Sequence, residues 1–313
     1  MKLKLSKRLQ LIADWVPPQS RLADIGSDHA LLPCYLAQAG IVTFAVAGEV
    51  NPGPMEAASR QVRESGLSSR IDVRGGNGLE VLTPGEVDVI TIAGMGGSLI
   101  AAILEEGKEK LAGISKLILQ PNVGEEQVRR WLDKEAWLLE AETIVEEDGK
   151  IYEILAASYC GGEQGQGQGL GQGQEQGQGQ GQGQGQEQEQ EQEQEQEQEQ
   201  EQEQEQEQGQ EQEQEQGSHS LSHTLKSLYE DRLLANGLKV SRAKLLQMGP
   251  YLIEEAPVVW FRKWESELEK LEMIRGQLAR SAAEASKIKA QAVSQEIEDI
   301  KEVLHACSQK VKP

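Results

Sequence analysis

The 313-residue sequence contains only three cysteines and no long hydrophobic run. Cys34, Cys160 and Cys307 lie far apart, which excludes a disulfide framework and favours a reducing compartment. No stretch of about 18 apolar residues occurs, so we expect no segment that spans a membrane. The basic N-terminus lacks the apolar core of a signal peptide. The sequence therefore predicts a cytoplasmic protein that has no membrane partner.

Metal-ligand patterns are also missing. The cysteines have no ligand spacing, and of the four histidines only His219 and His223 lie four residues apart. No further candidate ligands cluster around that pair, so it does not make a site. We predict no metal.

Positive charge is scarce relative to negative charge, and the excess of negative charge is concentrated in one segment. The formal net charge is −21, and 16 glutamates lie in a Gly/Gln/Glu tract at 161–217, where Leu170 is the only apolar residue. Without those glutamates the net charge is −5, so the total does not exclude a nucleic-acid partner. The tract has nothing to bury and cannot offset the entropy of folding. We interpret residues 159–218 as a disordered insertion, an expanded repeat without a function.

Residues 1–158 alternate short apolar runs with amphipathic stretches. The apolar runs lie at 22–26, 44–50, 71–74, 87–93, 116–120 and 151–157, with a further candidate at 141–147. Helical patterns lie between them, near 30–40, 54–66, 97–112 and 124–136. This alternation predicts an α/β domain with a mostly parallel, doubly wound sheet. The last two runs predict an antiparallel hairpin that turns at Asp148-Gly149.

Residues 219–313 predict a helical domain. Residues 221–255 look helical up to a break at Gly249-Pro250. From Pro257 a spacing of four and three residues predicts a coiled coil, and the weak stretch 281–286 favours two antiparallel helices. One seam contains Trp264, Leu268, Leu271, Leu278, Ala282 and Ala285, and the second contains Val293, Ile297, Ile300 and Leu304. The spacing does not choose between a dimer interface, a substrate arm and a structural appendage.

The strongest motif is ADIGSDHA at 23–30, at the end of the first predicted strand. Ligands of open α/β sheets bind beyond the carboxyl ends of the strands, and Gly26 lets the backbone approach such a ligand. A dinucleotide fingerprint would need two more glycines, and Asp28 would repel a pyrophosphate. The cationic sulfonium and ammonium groups of S-adenosylmethionine tolerate that carboxylate. The charge of the motif therefore favours S-adenosylmethionine over NAD; an ordinary strand–helix turn is the alternative.

Polar residues follow the next two strands. Glu49 closes the second strand, where its carboxylate can accept hydrogen bonds from both ribose hydroxyls. Asn77 follows the third strand and suits a contact with the adenine edge, although Asn-Gly is also a turn dipeptide. Both positions extend the predicted cofactor site.

Two further motifs follow the fourth and fifth strands. The glycine-rich sequence AGMGG at 93–97 lets the backbone approach a flat substrate, unless it is only a flexible turn. LQPN at 119–122 ends the fifth strand at the same edge, so Gln120 and Asn122 can hydrogen-bond a base or cap a turn. These motifs predict the substrate side of the site.

Together these motifs resemble the TrmK family, the bacterial tRNA (adenine-N1)-methyltransferases that modify adenine 22. The residues that carry the resemblance are LSKRL at 5–9, ADIGSDHA at 23–30, GEV at 48–50, Gly53-Pro54, IAGMGG at 92–97, LQPN at 119–122, Tyr152-Glu153-Ile154, MGPYL at 248–252 and Lys263-Trp264. The family usually has Asp where this chain has Asn77, and it lacks the Gly/Gln/Glu tract. The resemblance implies a Rossmann-like class I methyltransferase sheet with a C-terminal coiled coil.

The resemblance also implies methyl transfer from S-adenosylmethionine to N1 of adenine 22, with tRNA as partner. N1 carries a lone pair, so alignment matters more than a general base, and we assign no catalytic residue. The predicted cofactor-binding residues are Asp24, Gly26, Ser27, Asp28, His29, Glu49, Val50, Asn77, Gly78, Ala93, Gly94 and Met95. The predicted substrate-binding residues are Arg8, Gly96, Gly97, Gln120 and Asn122.

Two groups of cations are candidates for phosphate contacts. They are Lys2, Lys4, Lys7 and Arg8 at the N-terminus, and Arg262, Lys263, Lys270, Arg275 and Arg280 on the first long helix. Two other functions remain open: a methyltransferase acting on another RNA or a small molecule, and a catalytically silent RNA-binding scaffold. The sequence does not determine the oligomeric state, for which we favour a monomer.

Overall fold

The computed structural model describes residues 3–159, 228–234, 236–280 and 283–308. These residues form one compact unit. The Gly/Gln/Glu tract lies outside the described residues, so the division into domains at 158 and 218 stays a prediction.

The centre of the molecule is a seven-stranded sheet. Its strands are β1 (Ser20–Ile25), β2 (Val42–Glu49), β3 (Ile71–Gly75), β4 (Val89–Gly96), β5 (Lys116–Val123), β6 (Trp137–Glu147) and β7 (Lys150–Tyr159). They are ordered β3-β2-β1-β4-β5-β7-β6, and β7 is the one strand of this sheet that runs opposite to the other six. The predicted α/β, Rossmann-like sheet is thus confirmed, and β1 lies at its centre beside β4.

The predicted hairpin is present at the end of the sheet. Glu147 pairs with Lys150, and the two residues between them, Asp148 and Gly149, have φ of 51° and 71°. Two consecutive positive φ values are typical of the tight turn that joins twisted strands, and Asp-Gly favours this turn.

Helices cover both faces of the sheet. They are α1 (Lys7–Asp14), α2 (Leu31–Gln38), α3 (Pro52–Glu64), α4 (Gly97–Glu106) and α5 (Glu125–Lys134), with short 3₁₀ helices at Gly78–Val81 and Lys108–Leu111. Buried residues of α1, α2 and α3 share one core with the sheet, and those of α4 and α5 share the other with the C-terminal helices. Sequence reasoning missed α1, whose start is capped by the Ser6 side chain, an acceptor for Leu9 N–H at 3.3 Å.

The C-terminal part departs from one prediction. Its elements are β8 (Arg232–Leu233), β9 (Lys239–Val240), α6 (Arg242–Met248), α7 (Pro250–Glu255), α8 (Val258–Leu278) and α9 (Glu284–Ser308). The helical interpretation of 221–255 is wrong over 232–240, because the turn dipeptide Asn236-Gly237 joins two short antiparallel strands there. The predicted break at Gly249-Pro250 is confirmed, and Pro250 begins α7 where its missing N–H costs nothing.

The two long helices separate where the weak stretch predicted, between Leu278 and Glu284, and α9 packs back against α8. Their packing is uneven. Trp264, Ile297 and Ile300 are buried near the sheet, whereas Leu278 is half-buried and Ala285 is exposed. Regular coiled-coil packing along the whole predicted seam is therefore not supported. None of the described helices is long and apolar enough to cross a membrane.

A cluster of buried charges joins α8 to the sheet. The side chains of Arg129, Glu142 and Glu153 are fully buried, and Arg129 pairs with both glutamates. Lys263 of α8 completes the cluster through Glu153, at 2.5 Å between Nζ and Oε1, and also binds Glu125 at 2.8 Å. We call these four residues, Arg129, Glu142, Glu153 and Lys263, the junction.

The MGPYL motif forms the other side of the junction. Gly249 has φ of +88°, and a Cβ there would lie 2.8 Å from Nη2 of Arg129 and 3.0 Å from Oε2 of Glu142. Two residues further along the chain, the N–H of Tyr251 donates to Glu142 Oε2 at 3.0 Å. This motif therefore has a structural role: it lets the backbone reach the buried ion pairs.

Candidate functional site

The loop after β1 has an unusual backbone. Gly26 has φ of +69° and donates its N–H to Gly48 O at 2.9 Å, which ties the loop to β2. Asp28, His29 and Ala30 follow with φ of 39°, 70° and 55°. Non-glycine residues seldom adopt positive φ, and such strain tends to occur where a ligand is clamped. The motif predicted to bind the cofactor is thus held in a strained turn at the carboxyl edge of the sheet.

Asp24 anchors this loop from beneath. The residue is 4% exposed, and its carboxylate accepts hydrogen bonds from Ser27 Oγ at 2.7 Å and Thr91 Oγ1 at 2.6 Å. Burial raises the pKa of Asp24, the two hydroxyls oppose that shift, and the nearby charge of Asp28 adds to it. Sequence reasoning missed Thr91, which an apolar strand pattern conceals.

Glu49 lies directly beside the loop and is 6% exposed. Its Oε1 accepts the N–H of Asp28 at 2.6 Å, whereas Oε2 accepts no hydrogen bond from the described residues. Burial raises the pKa of Glu49, and the charges of Asp24 and Asp28 raise it further. Within the described segments no lysine or arginine pairs with Glu49. A carboxylate with one oxygen free to accept hydrogen bonds fits hydroxyl donors such as those of a ribose.

Two further predicted cofactor residues flank Glu49. Val50 is 63% exposed, so its side chain is open to a ligand or to solvent. The loop after β3 reaches Glu49 through Gly76, whose N–H donates to Glu49 O at 3.0 Å. Asn77 begins the 3₁₀ helix that includes Gly78, and its N–H donates to Glu80 at 3.1 Å. This contact supports the turn role of Asn77; the adenine contact stays a prediction.

The glycine-rich segment at the end of β4, residues 93–97, is fixed by two amide side chains of β5, and we call this segment the glycine loop. Gly94 has φ of +79°, donates its N–H to Gln120 Oε1 at 3.0 Å and accepts from Asn122 Nδ2 at 2.7 Å. Gln120 Oε1 also accepts a hydrogen bond from Arg8. Gln120 is fully buried and Asn122 is exposed. Gln120 thus positions the loop, whereas Asn122 is accessible to a substrate.

The Met95 side chain and the backbone of two glycines complete this loop. Ala93 is half-buried, and Met95 extends over Gly26, so that a Cβ on Gly26 would lie 2.2 Å from Met95 Cε. Gly97 is buried, and a Cβ there would lie 1.8 Å from Gly124 O, whereas a Cβ on Gly96 meets nothing within 4 Å. Close backbone packing therefore explains Gly97 better than the predicted base contact.

A cleft of about 830 Å³ opens beside Asn122. It runs between the β6–β7 turn and α8, and its charges balance. The cationic lining residues are Lys150, Lys263 and Lys270, and the acidic ones are Glu125, Glu126 and Glu267.

The helix cations predicted to contact RNA are largely engaged within the chain. Arg262 binds Glu146, Lys263 belongs to the junction, and Lys270 and Arg275 pair with glutamates of their own helix. Burial removes Lys263 from the predicted phosphate contacts. Among the N-terminal cations, Lys4 and Lys7 form no ion pair with the described residues, while Lys2 lies outside them. In the part of the chain described, no group of three His, Cys, Asp or Glu side chains is arranged to hold a metal.

Tyr152 was not predicted as a site residue. The guanidinium of Arg8 lies 5.2 Å from its ring centroid, and Tyr152 lines the cleft together with Asn122. The only sequence signal was its place in the Tyr152-Glu153-Ile154 hairpin motif, because a contact between residues 8 and 152 depends on how the hairpin folds against α1.

Comparison with known proteins gives consistent matches. The family model described as TrmK, tRNA (adenine(22)-N(1))-methyltransferase, matches residues 22–230. The tRNA (adenine(22)-N(1))-methyltransferase of Bacillus subtilis strain 168 is 57% identical over 156 residues, which span 50% of this chain and 66% of that protein.

Solved structures match over nearly the whole chain. The crystal structure of B. subtilis TrmK superposes with a TM-score of 0.70 at 36% identity, covering 96% of this chain and 99% of that one. Streptococcus pneumoniae Sp1610, solved in complex with S-adenosyl-L-methionine, gives 0.65 at 34% identity, covering 96% and 100%. The strained turn, Glu49 and the amide-fixed glycine loop thus occur in a chain that belongs to the TrmK family of tRNA (adenine(22)-N(1))-methyltransferases.

Proposed function

We propose that this chain transfers a methyl group from S-adenosylmethionine to N1 of adenine 22 in tRNA. The observation that carries the proposal is Glu49, a largely buried residue whose Oε2 accepts no hydrogen bond from the described residues, beside the strained turn at 26–30. The family match and the S-adenosylmethionine complex of the S. pneumoniae protein support the same donor. Because tRNA is the proposed substrate, we expect the enzyme to act in the cytoplasm.

The residues present fit this donor. Glu49 would accept hydrogen bonds from its ribose, and the lack of a side chain at Gly26 lets Met95 pack directly on the loop beside it. Asp24 and Asp28 add negative charge, which suits a cationic ligand. When bound, the cofactor supplies an electrophilic methyl group.

The chain's own contribution is alignment. The target nitrogen already carries a lone pair, so the site needs no strong general base. Gln120 and Asn122 fix the loop that separates the cofactor side from the substrate side, and Arg8 secures Gln120. Asn122 remains exposed at the cleft, where it can contact the adenine after it leaves the RNA stack.

Methylation of tRNA transcripts tests the proposal. The wild-type chain should methylate a transcript with adenine at position 22, mass mapping should locate the methyl group there, and the transcript with guanine 22 should not react. Methylation of another RNA or of a small molecule instead would favour the alternative substrate class. Absence of cofactor binding in calorimetry would favour the silent scaffold.

A variant of Asn122 tests its assignment to the substrate side. Asn122→Ala should lower turnover and leave the affinity for S-adenosylmethionine nearly intact; an equal loss of both would contradict the assignment. Gln120→Ala is a less specific test, because Gln120 is buried and its removal leaves the Gly94 N–H and Arg8 without their acceptor.

A further inference from the structure

Tyr152 is an aromatic residue that lines the cleft, and the proposed reaction gives it no role so far. It lies near the start of β7, which runs antiparallel to β5. The register pairs Leu119 with Leu155, so continuing it by three residues brings Tyr152 opposite Asn122. Both residues line the cleft, and Asn122 also donates to Gly94 O. Tyr152 is therefore adjacent to the point where substrate meets the glycine loop.

Arg8 holds the ring of Tyr152 in place. Its guanidinium lies 5.2 Å from the ring centroid and is itself fixed by Gln120. Tyr152 lines the cleft, whereas Arg8 is not among its lining residues. The hydroxyl of Tyr152 forms no hydrogen bond with the described residues, and the side chain is half-buried. The chain thus presents a braced aromatic surface whose polar atom has no structural use.

The charges of the cleft indicate what this surface binds. Its lysines and glutamates balance, and Lys263 and Lys270 are paired within the chain. Such a cleft offers little net attraction to a phosphate backbone. An aromatic ring braced by a guanidinium instead suits a nucleobase, because every base has a π-face and stacks without needing charge.

We propose that Tyr152, braced by Arg8, is the surface on which the target adenine stacks once it has left the tRNA fold, with Asn122 at its edge. This inference rests on the proposed function and adds a substrate-binding residue to it. Stacking contributes about 1–3 kcal/mol per base, which corresponds to a change of about 5- to 150-fold.

The test uses the full-length chain and tRNA transcripts, together with a matched set of variants. Tyr152→Ala should raise KM for the adenine-22 transcript or lower kcat/KM by about 5- to 150-fold, while Tyr152→Phe, which keeps the ring, should retain near wild-type values. Tyr159→Ala is the control. It removes the same side chain from the other end of β7, where Tyr159 packs on Trp137, outside the cleft. Affinity for S-adenosylmethionine should be unchanged in all three variants.

A transcript with 2-aminopurine at position 22 gives a direct readout. Stacking quenches this base both in the RNA and on an aromatic ring, so the bound transcript should be markedly less fluorescent with wild type and Tyr152→Phe than with Tyr152→Ala. Unchanged kinetics and quenching in Tyr152→Ala would overturn the stacking role while leaving the proposed function intact. A wild-type chain that fails to methylate the adenine-22 transcript would overturn the proposed function, and the stacking inference with it.

Discussion

The cofactor side of the sheet and the junction both bury carboxylates, but they treat them differently. Asp24 and Glu49 are buried without a pairing cation among the described residues, and burial raises the pKa of both. At the junction burial also opposes ionisation: Lys263 and Arg129 together outweigh it and lower the pKa of Glu153, whereas the pKa of Glu142, which pairs with Arg129 alone, stays raised by burial. Carboxylates left without a cation are therefore expected where a ligand will bind, whereas paired carboxylates hold elements together.

The largest effect is expected from breaking the junction. Arg129→Met leaves Glu142 and Glu153 without their shared cation, and removing one partner of a buried pair costs about 3–5 kcal/mol. The free energy of unfolding from urea titration should fall by that amount. Arg130→Met is the matched control: Arg130 is exposed, pairs with Glu126 four residues away, and should change stability by at most about 0.5 kcal/mol. Equal losses of stability in both variants would mean that the buried ion pairs of the junction contribute no more than an exposed ion pair does.

The next effect concerns the unpaired side of the comparison. Glu49→Ala removes the acceptor proposed for the ribose, and hydrogen bonds to a charged group contribute about 1.5–3 kcal/mol. The dissociation constant of S-adenosylmethionine measured by calorimetry should rise about ten-fold or more. Unlike Arg129→Met, the variant should unfold at nearly the wild-type urea concentration. A large loss of stability with unchanged affinity would make Glu49 structural.

A smaller effect is expected at Gly249, where φ is +88° and a side chain would contact the junction. Gly249→Ala should lower the free energy of unfolding by about 1–3 kcal/mol. Gly113→Ala isolates the backbone contribution, because Gly113 has φ of +82° and nothing lies within 4 Å of its would-be Cβ. The difference between the two variants measures the contact with Arg129 and Glu142. Equal losses of unfolding free energy in the two variants would mean that Arg129 and Glu142 can move aside for a methyl group at no cost.

The smallest effect is a pH dependence. Because the pKa of Glu49 is raised, it loses its charge at a higher pH than an ordinary glutamate, so on acidification cofactor affinity should begin to weaken at a higher pH than it would with an ordinary glutamate. Calorimetry with Glu49→Gln should show a flatter profile; an identical slope would assign the titration elsewhere. The effect on stability has the opposite sign. Because the pKa of Glu49 is higher in the folded chain than in the unfolded chain, the cofactor-free fold is relatively more stable at low pH. This contribution is lost as the pH rises through the pKa of Glu49 in the folded state.

The sequence predicted the sheet, and it placed the candidate site residues at one edge of that sheet, for one physical reason. Apolar runs reveal strands, and the residues that end them, Gly26, Glu49 and Asn122, must meet at one edge of a parallel sheet. The interpretation of 221–255 was wrong where Asn236-Gly237 favoured a turn over the helical pattern. The coiled-coil spacing predicted that Leu278 and Ala285 are buried between the two long helices, but Leu278 is only half-buried and Ala285 is exposed.

Long-range pairs could not be predicted in the same way. Glu153 meets Arg129 across 24 residues and Lys263 across 110, and in the sequence each of the three reads as an ordinary surface charge. Arg8 reaches Gln120 and Tyr152 only because α1, which the sequence reading missed, folds onto the hairpin. Contacts of this kind depend on how elements pack, and local patterns do not encode that packing.

The close packing of Gly97 against Gly124 has a mechanical consequence. Gly97 begins α4 directly after β4, and Gly124 lies between β5 and α5, so the two backbones touch with no room for a side chain between them. A side chain at Gly97 would have to displace the end of β4, which carries Met95, or the end of β5, which carries Asn122. A glycine at position 97 thus sets the spacing between the two strand ends.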